Sequence, residues 1–208
     1  MQYVFFNIGE LMERRTFDYR GMKFAYYYSA GGSGTALLMH GYSFNSQVWE
    51  DVGLVEALNR LGLDVIGMDV PGFPQSMNRL ALNEKEIVSL LEAMAATLPG
   101  DLFLLGSSAS AHIAMEFAQR AGDRLSGLIL VAPVSVKNVA LERISAKVLA
   151  VWGSEDDVSP AYKTEDAIKS IKGSETAIIN GAGHACYLRQ PEAFIKIVSE
   201  FISRNMGR

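Results

Sequence analysis

The chain has 208 residues, 49% hydrophobic and 20% charged, which suits a single globular domain (1–208) with a sizeable core. Its net charge of -4, without a dense basic cluster, argues against a surface that tracks nucleic-acid phosphates. One cysteine and three histidines exclude an internal disulfide and a Cys-rich metal site, and no metal-ligand cluster or Gly-rich phosphate loop appears, so no metal and no cofactor is expected.

The first segment, MQYVFFNIGELMERR, has no basic n-region and only a short apolar run, Tyr3–Phe6. No stretch is long enough to span a bilayer, so a soluble, cytoplasmic protein without a membrane partner is expected. Residues 1–12 fit an extra strand, a short helix or a dimer contact equally well. Glu13–Arg20 and Met22–Ser29 read as strands of a hairpin turning at Gly21. Ser29–Thr35 is loop by composition, and Ala36–Met39 is a short apolar strand ending in His40-Gly41-Tyr42.

Asn45 or Ser46 is placed to cap a helix reaching Leu61, with Val48, Val52, Val55 and Leu58 on one face, and Gly62 ends it. Leu63–Asp69 is the next strand, and Pro71-Gly72-Phe73-Pro74 is loop. Asn83 and Glu86 form a capping-box start for a helix carrying Ile87, Leu90, Leu91, Met94 and Leu98. Pro99-Gly100 stops it. Then Leu102–Leu105, a buried strand, breaks at Gly106 into small residues, and His112–Gln119 continues as helix.

Leu125–Ala132 is a further strand, and Pro133–Ala146 is a short link without helical periodicity. Lys147–Trp152 is a strand and Gly153–Ser159 a loop. Ser159 and Pro160 read as N-cap and first residue of a helix to Ile171. Glu175–Ile179 is the last strand and Asn180–Arg189 a loop. Pro191 opens a terminal helix burying Phe194, Ile195, Val198, Phe201 and Ile202. Strands alternating with helices predict an α/β fold: a mostly parallel sheet with helices on both faces and an antiparallel N-terminal hairpin.

Sites in such sheets form at the carboxyl ends of strands. The strand–turn–helix at Gly106–Ser110 suits a nucleophile elbow, which needs small residues two before and two after the nucleophile. Ser108 has Gly106 and Ser110 there; Ser107 has Leu105, and Ser110 has His112, both too large. A general base must be a histidine. His184 lies in the flexible Gly181-Ala182-Gly183-His184-Ala185 loop, whereas His40 reads as a loop-holding residue and His112 as a packing residue on the helix after the elbow. The orienting acid comes from Ser154-Glu155-Asp156-Asp157, where Asp156, three after Gly153 and four before Pro160, is favoured over Asp157. The order Ser108, Asp156, His184 is nucleophile, acid, base. An oxyanion hole is expected from the N–H groups of Ala109 and Tyr42, with Ser43 the second choice after Tyr42.

The segments LLMHGYSFNSQVWED, DVPGFPQS, GSSAS, LVAPV, WGSEDDVSP and GAGHACYLRQPEAF resemble the α/β-hydrolase fold from Ala36 onward. Within it the chain resembles the small, lidless hydrolases similar to CCG1-interacting factor B, through HGYSFNSQVW and GAGHACYLRQPEAF. That resemblance implies the same three catalytic residues and an acyl-hydrolase activity. Two positions depart from the superfamily pattern: Ser110 stands for the second elbow glycine and Pro74 for a glycine in the loop after the Asp69 strand.

Pro133–Ala146 leaves no room for a lid, so a small acyl substrate would meet the loops alone. Ser43, Phe44, Phe73, Val134, Val158, Cys186 and Tyr187, with Tyr42, are the expected lining. Cys186 has no separate base and reads as packing, and Asp69 follows a different strand from the elbow. The expected function is a serine hydrolase acting through an acyl-enzyme. The alternative is a binding protein on a hydrolase scaffold, suggested by Ser110 and residues 1–12.

Overall fold

The computed structural model describes residues 11–207. Ten of the twelve residues of undecided N-terminal role therefore lie outside the described residues; Leu11 donates its N–H to Glu50 Oε1 (2.7 Å), and Met12 is buried.

Strands β1 (Glu13–Tyr19) and β2 (Met22–Ser29) form the hairpin, with Arg20 (φ 50) and Gly21 (φ 76) both left-handed in its two-residue turn. The other strands are β3 (Gly34–Met39), β4 (Leu63–Met68), β5 (Leu102–Ser107), β6 (Gly127–Val131), β7 (Lys147–Gly153) and β8 (Glu175–Ile179). They assemble in the order β1-β2-β4-β3-β5-β6-β7-β8. β2 pairs antiparallel with β1 and β4, and every pairing from β4 to β8 is parallel. β3, β5 and β6 are buried along their whole length, which explains why they read as continuous apolar runs. The exposed edge strand β1 instead carries Glu13, Arg14 and Arg15, charges that discourage pairing with another chain.

Side chains alternate across the sheet and build a core on each face. Leu104, Leu128, Leu130, Ala150 and Trp152 meet α3 (Glu84–Ala95) and α4 (Ala109–Ala121). Leu105, Ile129, Val131, Leu149 and Val151 meet α1 (Val48–Asp51), α2 (Leu54–Arg60) and α7 (Pro191–Asn205). α5 (Glu165–Lys169) and α6 (Cys186–Arg189) are single turns, the first bonded to the start of β8 through Thr176 and Glu165 and the second following the loop after β8.

Four expectations change in detail. The helix expected from Asn45 or Ser46 to Leu61 is two pieces, because Gly53 adopts φ 82 between α1 and α2. Ser46 does not cap it; its N–H and hydroxyl both bind Asp69 Oδ1, at 2.8 and 2.7 Å. Pro160 is extended (ψ 143), and a 3₁₀ turn at Ala161–Lys163 and the short α5 replace the helix expected to Ile171. The Ser159 hydroxyl donates to the Pro133 carbonyl (2.7 Å) instead of capping. The loop expected over Asn180–Arg189 ends in α6, and Ile195 of α7 is half-buried rather than core. By contrast, the capping box is present: Glu86 N–H donates to Asn83 Oδ1 and Asn83 N–H to Glu86 Oε2. Residues 133–146 hold two 3₁₀ turns, Val136–Asn138 and Leu141–Arg143, and no lid.

Beyond the end of β4, the side chain of Asn78 takes over as partner of β2. Its Oδ1 accepts from Ala25 N–H (2.9 Å), and its Nδ2 donates to the carbonyls of Ala25 (2.8 Å) and Asp69 (2.7 Å). The Asp69 carboxylate, itself buried, accepts from Ser46 and from Met77 N–H (2.8 Å). The loops following β3 and β4 are thereby fixed to one another. An Asn78→Ala variant leaves three buried backbone groups without this partner, and its unfolding free energy in denaturant titration should fall by about 2–3 kcal/mol.

Candidate active site

The turn between β5 and α4 is set by close approach. A Cβ at Gly106 would lie 2.7 Å from the Ser110 carbonyl oxygen and 2.8 Å from the Ala114 Cβ, so only glycine fits two residues before Ser108. Ser108 itself is held at φ 55, ψ −113, a strained conformation for a residue with a side chain. Its N–H donates to the Val131 carbonyl (2.8 Å) at the end of the neighbouring strand.

Ser110 occupies its place without displacing anything. It is fully buried; its hydroxyl oxygen accepts from Ser107 N–H (2.9 Å) and lies 3.1 Å from the Met39 carbonyl and 3.0 Å from the Ser107 carbonyl as donor. It therefore relays the last contact between β5 and β3, where a glycine would have no group to offer. Ser107 is buried within β5 and hydrogen-bonds the Tyr187 hydroxyl.

Three side chains from three strand ends meet at the elbow. Ser108 Oγ lies 2.8 Å from His184 Nε2, the orientation for a hydroxyl donating to that nitrogen. His184 Nδ1 lies 3.0 Å from each oxygen of Asp156, so an N–H there donates to the carboxylate. The Asp156 side chain is wholly buried, while the His184 side chain keeps 24% of its exposure. Asp156 Oδ1 also accepts from the N–H groups of Val158 (3.0 Å) and Ser159 (2.9 Å), which satisfies a carboxylate withdrawn from water. The rival residues lie elsewhere in chemistry: Asp157 is exposed, and His112 Nε2 faces Glu84 (3.7 Å).

The loops bearing Asp156 and His184 are closed on each other. Ser154 N–H donates to Ile179, Glu155 N–H to Ala182, and Gly181 N–H to the Ser154 hydroxyl. A Cβ at Gly153 would stand 2.0 Å from the Ala182 carbonyl oxygen, so this closure requires glycine there.

His40 is fully buried. Its Nε2 accepts from Val70 N–H (3.1 Å), which places the ring proton on Nδ1, donating to the Gly41 carbonyl (2.8 Å). Burial lowers its pKa, consistent with a neutral ring. Phe44 N–H also donates to that carbonyl (3.0 Å). Because the Gly41–Tyr42 peptide is planar, two donors on its C=O turn the Tyr42 N–H to the opposite side. The loop runs beside the elbow, since a Cβ on Gly41 would be 3.6 Å from Ser107 Oγ. Ala109 opens α4, and a helix cannot satisfy the N–H of its own first residue.

The expected lining divides. Tyr42 (55% exposed) packs its ring on the half-buried Phe73, centroids 5.2 Å apart. Val158 is 61% exposed and Val134 half-buried. Ser43 and Phe44 line a groove of about 340 Å³ completed by Asn45, Val48, Asp51, Gln75 and Leu188. The amino-acid pattern did not single out those five as lining; the signal was there for Gln75, which belongs to a loop following a parallel strand, but not for Asp51, which ends the short helix α1. Cys186 and Tyr187 are almost wholly buried. Both are core: Tyr187 packs on Trp49 and Phe194, and burial pushes the Cys186 thiol and the Tyr187 hydroxyl each up to about 12. Among the described residues there is no group of three side chains able to hold a metal ion, and no helix is long and apolar enough to cross a membrane.

Comparison with known proteins agrees with this architecture. The sequence model of the alpha/beta hydrolase fold matches residues 36–143. The chain is 31% identical to rat ABHD14A over 163 residues, 76% of this chain and 67% of that protein. It is 30% identical to human ABHD14B, named as a candidate protein-lysine deacylase, over 183 residues, 82% of this chain and 86% of that protein. It spans 63% to 67% of the length of the ABHD14A relatives from rat, human, zebrafish and mouse. A CIB-like hydrolase from Thermoplasma acidophilum, so described by prediction, superposes with a TM-score of 0.82 at 25% identity, covering 94% of this chain and all of that one. With its eight-stranded sheet, its strained turn after β5 and these matches together, the chain belongs to the α/β-hydrolase fold family.

Proposed function

We propose that the chain is a serine hydrolase that cleaves small acyl esters or related acyl compounds through an acyl-enzyme, with the sheet and its helices as one catalytic domain. The observation that carries this is the hydrogen-bonded line from Ser108 Oγ through His184 to the buried Asp156. In this reading Ser108 Oγ attacks the substrate carbonyl while His184 Nε2 takes its proton. Asp156 holds the Nδ1 proton and stabilises the imidazolium that forms. The N–H groups of Ala109 and Tyr42 receive the oxyanion. Collapse of the tetrahedral adduct expels the leaving group, which takes the proton from His184. Water, deprotonated by His184, then releases the acid and regenerates Ser108.

The site is open, because no lid follows β6. That suits acyl groups presented at a surface as well as small free esters. The name of the human relative extends the same chemistry to an acyl amide on a lysine, which needs no additional catalytic group: the leaving amine takes the proton from His184. The alternative of a binding protein on a hydrolase scaffold drew on Ser110 and on residues 1–12, of which 1–10 lie outside the described residues; of these, Ser110 bears on the elbow. Its hydroxyl is fully bonded and leaves Ser108 and its partners undisturbed, which favours the enzymatic reading.

Three outcomes test the assignment. A fluorophosphonate probe should label the protein, and Ser108→Ala should lose both labelling and ester turnover while remaining folded; equal labelling of the variant excludes Ser108 as nucleophile. Iodoacetamide should leave native Cys186 unmodified at neutral pH, since a thiol raised to about 12 by burial has almost no thiolate there, and Cys186→Ala should retain activity. Ser110→Ala removes the hydroxyl joining the elbow to β3, and kcat should fall about 10-fold with KM little changed, as expected when nucleophile and oxyanion donors lose their relative placement.

A further inference from the structure

A second groove, of about 480 Å³, opens at the carboxyl ends of β6 and β7. One wall is Ser135, Val136 and Lys137; the other is Tyr162, Lys163 and Thr164. It is anchored to the triad. Ser159 donates its hydroxyl to Pro133, two residues before one wall, and its N–H to Asp156. Val134, between Pro133 and one wall, and Val158, between Asp156 and Ser159, leave apolar surface accessible.

The groove has an unbalanced chemistry. Lys137 and Lys163 take part in no ion pair among the described residues, and no acidic side chain lines the groove. The nearest acid in sequence, Glu165, is engaged by Lys169 (2.9 Å) and Thr176 (3.0 Å). The Thr164 hydroxyl is buried without a hydrogen-bond partner, and such a group calls for one. Tyr162, 80% exposed, lays an aromatic face beside Lys163, whose Nζ is 5.9 Å from its ring. The backbone here is also set with strain: Ala132 (φ 46) and Ser135 (φ 57) are left-handed, as is Ser108, and such residues cluster at functional sites. In a chain of net charge -4, two cations without an acidic partner among the described residues line one groove, which favours negative charge there.

We propose that this groove is an anion-binding subsite, and that the preferred substrates carry a carboxylate or phosphate alongside the scissile acyl bond. This rests on the serine-hydrolase reading. The anion pairs with Lys137 and Lys163. The segment joining it to the reacting carbonyl lies over Val134 and Val158. The function of the site is selectivity; the chemistry at Ser108 is unchanged.

The test compares matched esters. Mono-4-nitrophenyl glutarate is set against 4-nitrophenyl hexanoate for charge on the acyl side, and 4-acetoxybenzoate against phenyl acetate for charge on the leaving group. In at least one pair, the ratio of kcat/KM for charged over neutral ester should fall about 10-fold in a Lys137→Gln/Lys163→Gln double variant, the value of about one charge-assisted contact. Turnover of the neutral ester should stay as in the wild type, which separates loss of the subsite from loss of folding. Added salt should lower the ratio in the wild type and not in the variant. Ratios that agree between wild type and variant in both pairs overturn the proposal. A parallel titration with glutarate and with inorganic phosphate, followed by amide chemical shifts of residues 135–137 and 162–164, is independent of turnover. Shifts in the wild type that vanish in the variant support the subsite even for a protein without esterase activity, and the stronger of the two ligands identifies the anion. No shift with either ligand overturns it.

Discussion

Ser108 is held in a backbone conformation that costs on the order of 1–3 kcal/mol, and the rest of the fold can be read as what keeps it there. Its N–H is taken by Val131 at the end of β6. Gly106 lets α4 approach β5 closely enough for the turn to close. Ser110 fills the remaining space and binds the turn to the end of β3. The strain is thus opposed from both neighbouring strands and from the helix, and the hydroxyl of Ser108 is presented outward on a frame that is rigid because it is central in the sheet.

The same economy of contacts governs the loops. Two buried carboxylates organise the carboxyl edge of the sheet, one on each side of the elbow. Asp156 gathers the N–H groups of Val158 and Ser159 and the ring of His184. Asp69 gathers Ser46 and Met77, and through the Asn78 side chain its backbone is tied to β2. Both are desolvated, and both have donors in place, which is the condition under which a buried carboxylate is tolerated. Each has a histidine nearby, but His40 Nε2, 3.9 Å from Asp69 Oδ1, is taken by the Val70 N–H, whereas the ring of His184 reaches on to the Ser108 hydroxyl.

Much of this was legible from residue order alone. The buried strands announced themselves as apolar runs, the Asn83–Glu86 box as a helix start, and the steric rule of two small neighbours singled out Ser108 among adjacent serines. What escaped was whatever depended on a residue choosing a distant partner over a local one. Ser46 and Ser159 are good caps in sequence, yet their hydroxyls reach Asp69 and Pro133, 23 and 26 residues away. Gly53 sits within an apolar period that favours a continuous helix, and its left-handed φ is invisible to periodicity. Cys186 and Tyr187 follow the histidine and were expected to line its pocket, but one turn of helix directs both into the aromatic core. Ser110, a departure from the family pattern, became intelligible only once its three polar neighbours were seen.

The bonds that close residues 153–156 onto residues 179–182 have a mechanical meaning. They make Asp156 and His184 parts of one body carried by β7 and β8, whereas Ser108 rides at the end of β5 near the middle of the sheet. A displacement of the β8 edge that left those bonds intact would carry His184 and Asp156 together, and the 2.8 Å contact to Ser108 is the join between that body and β5.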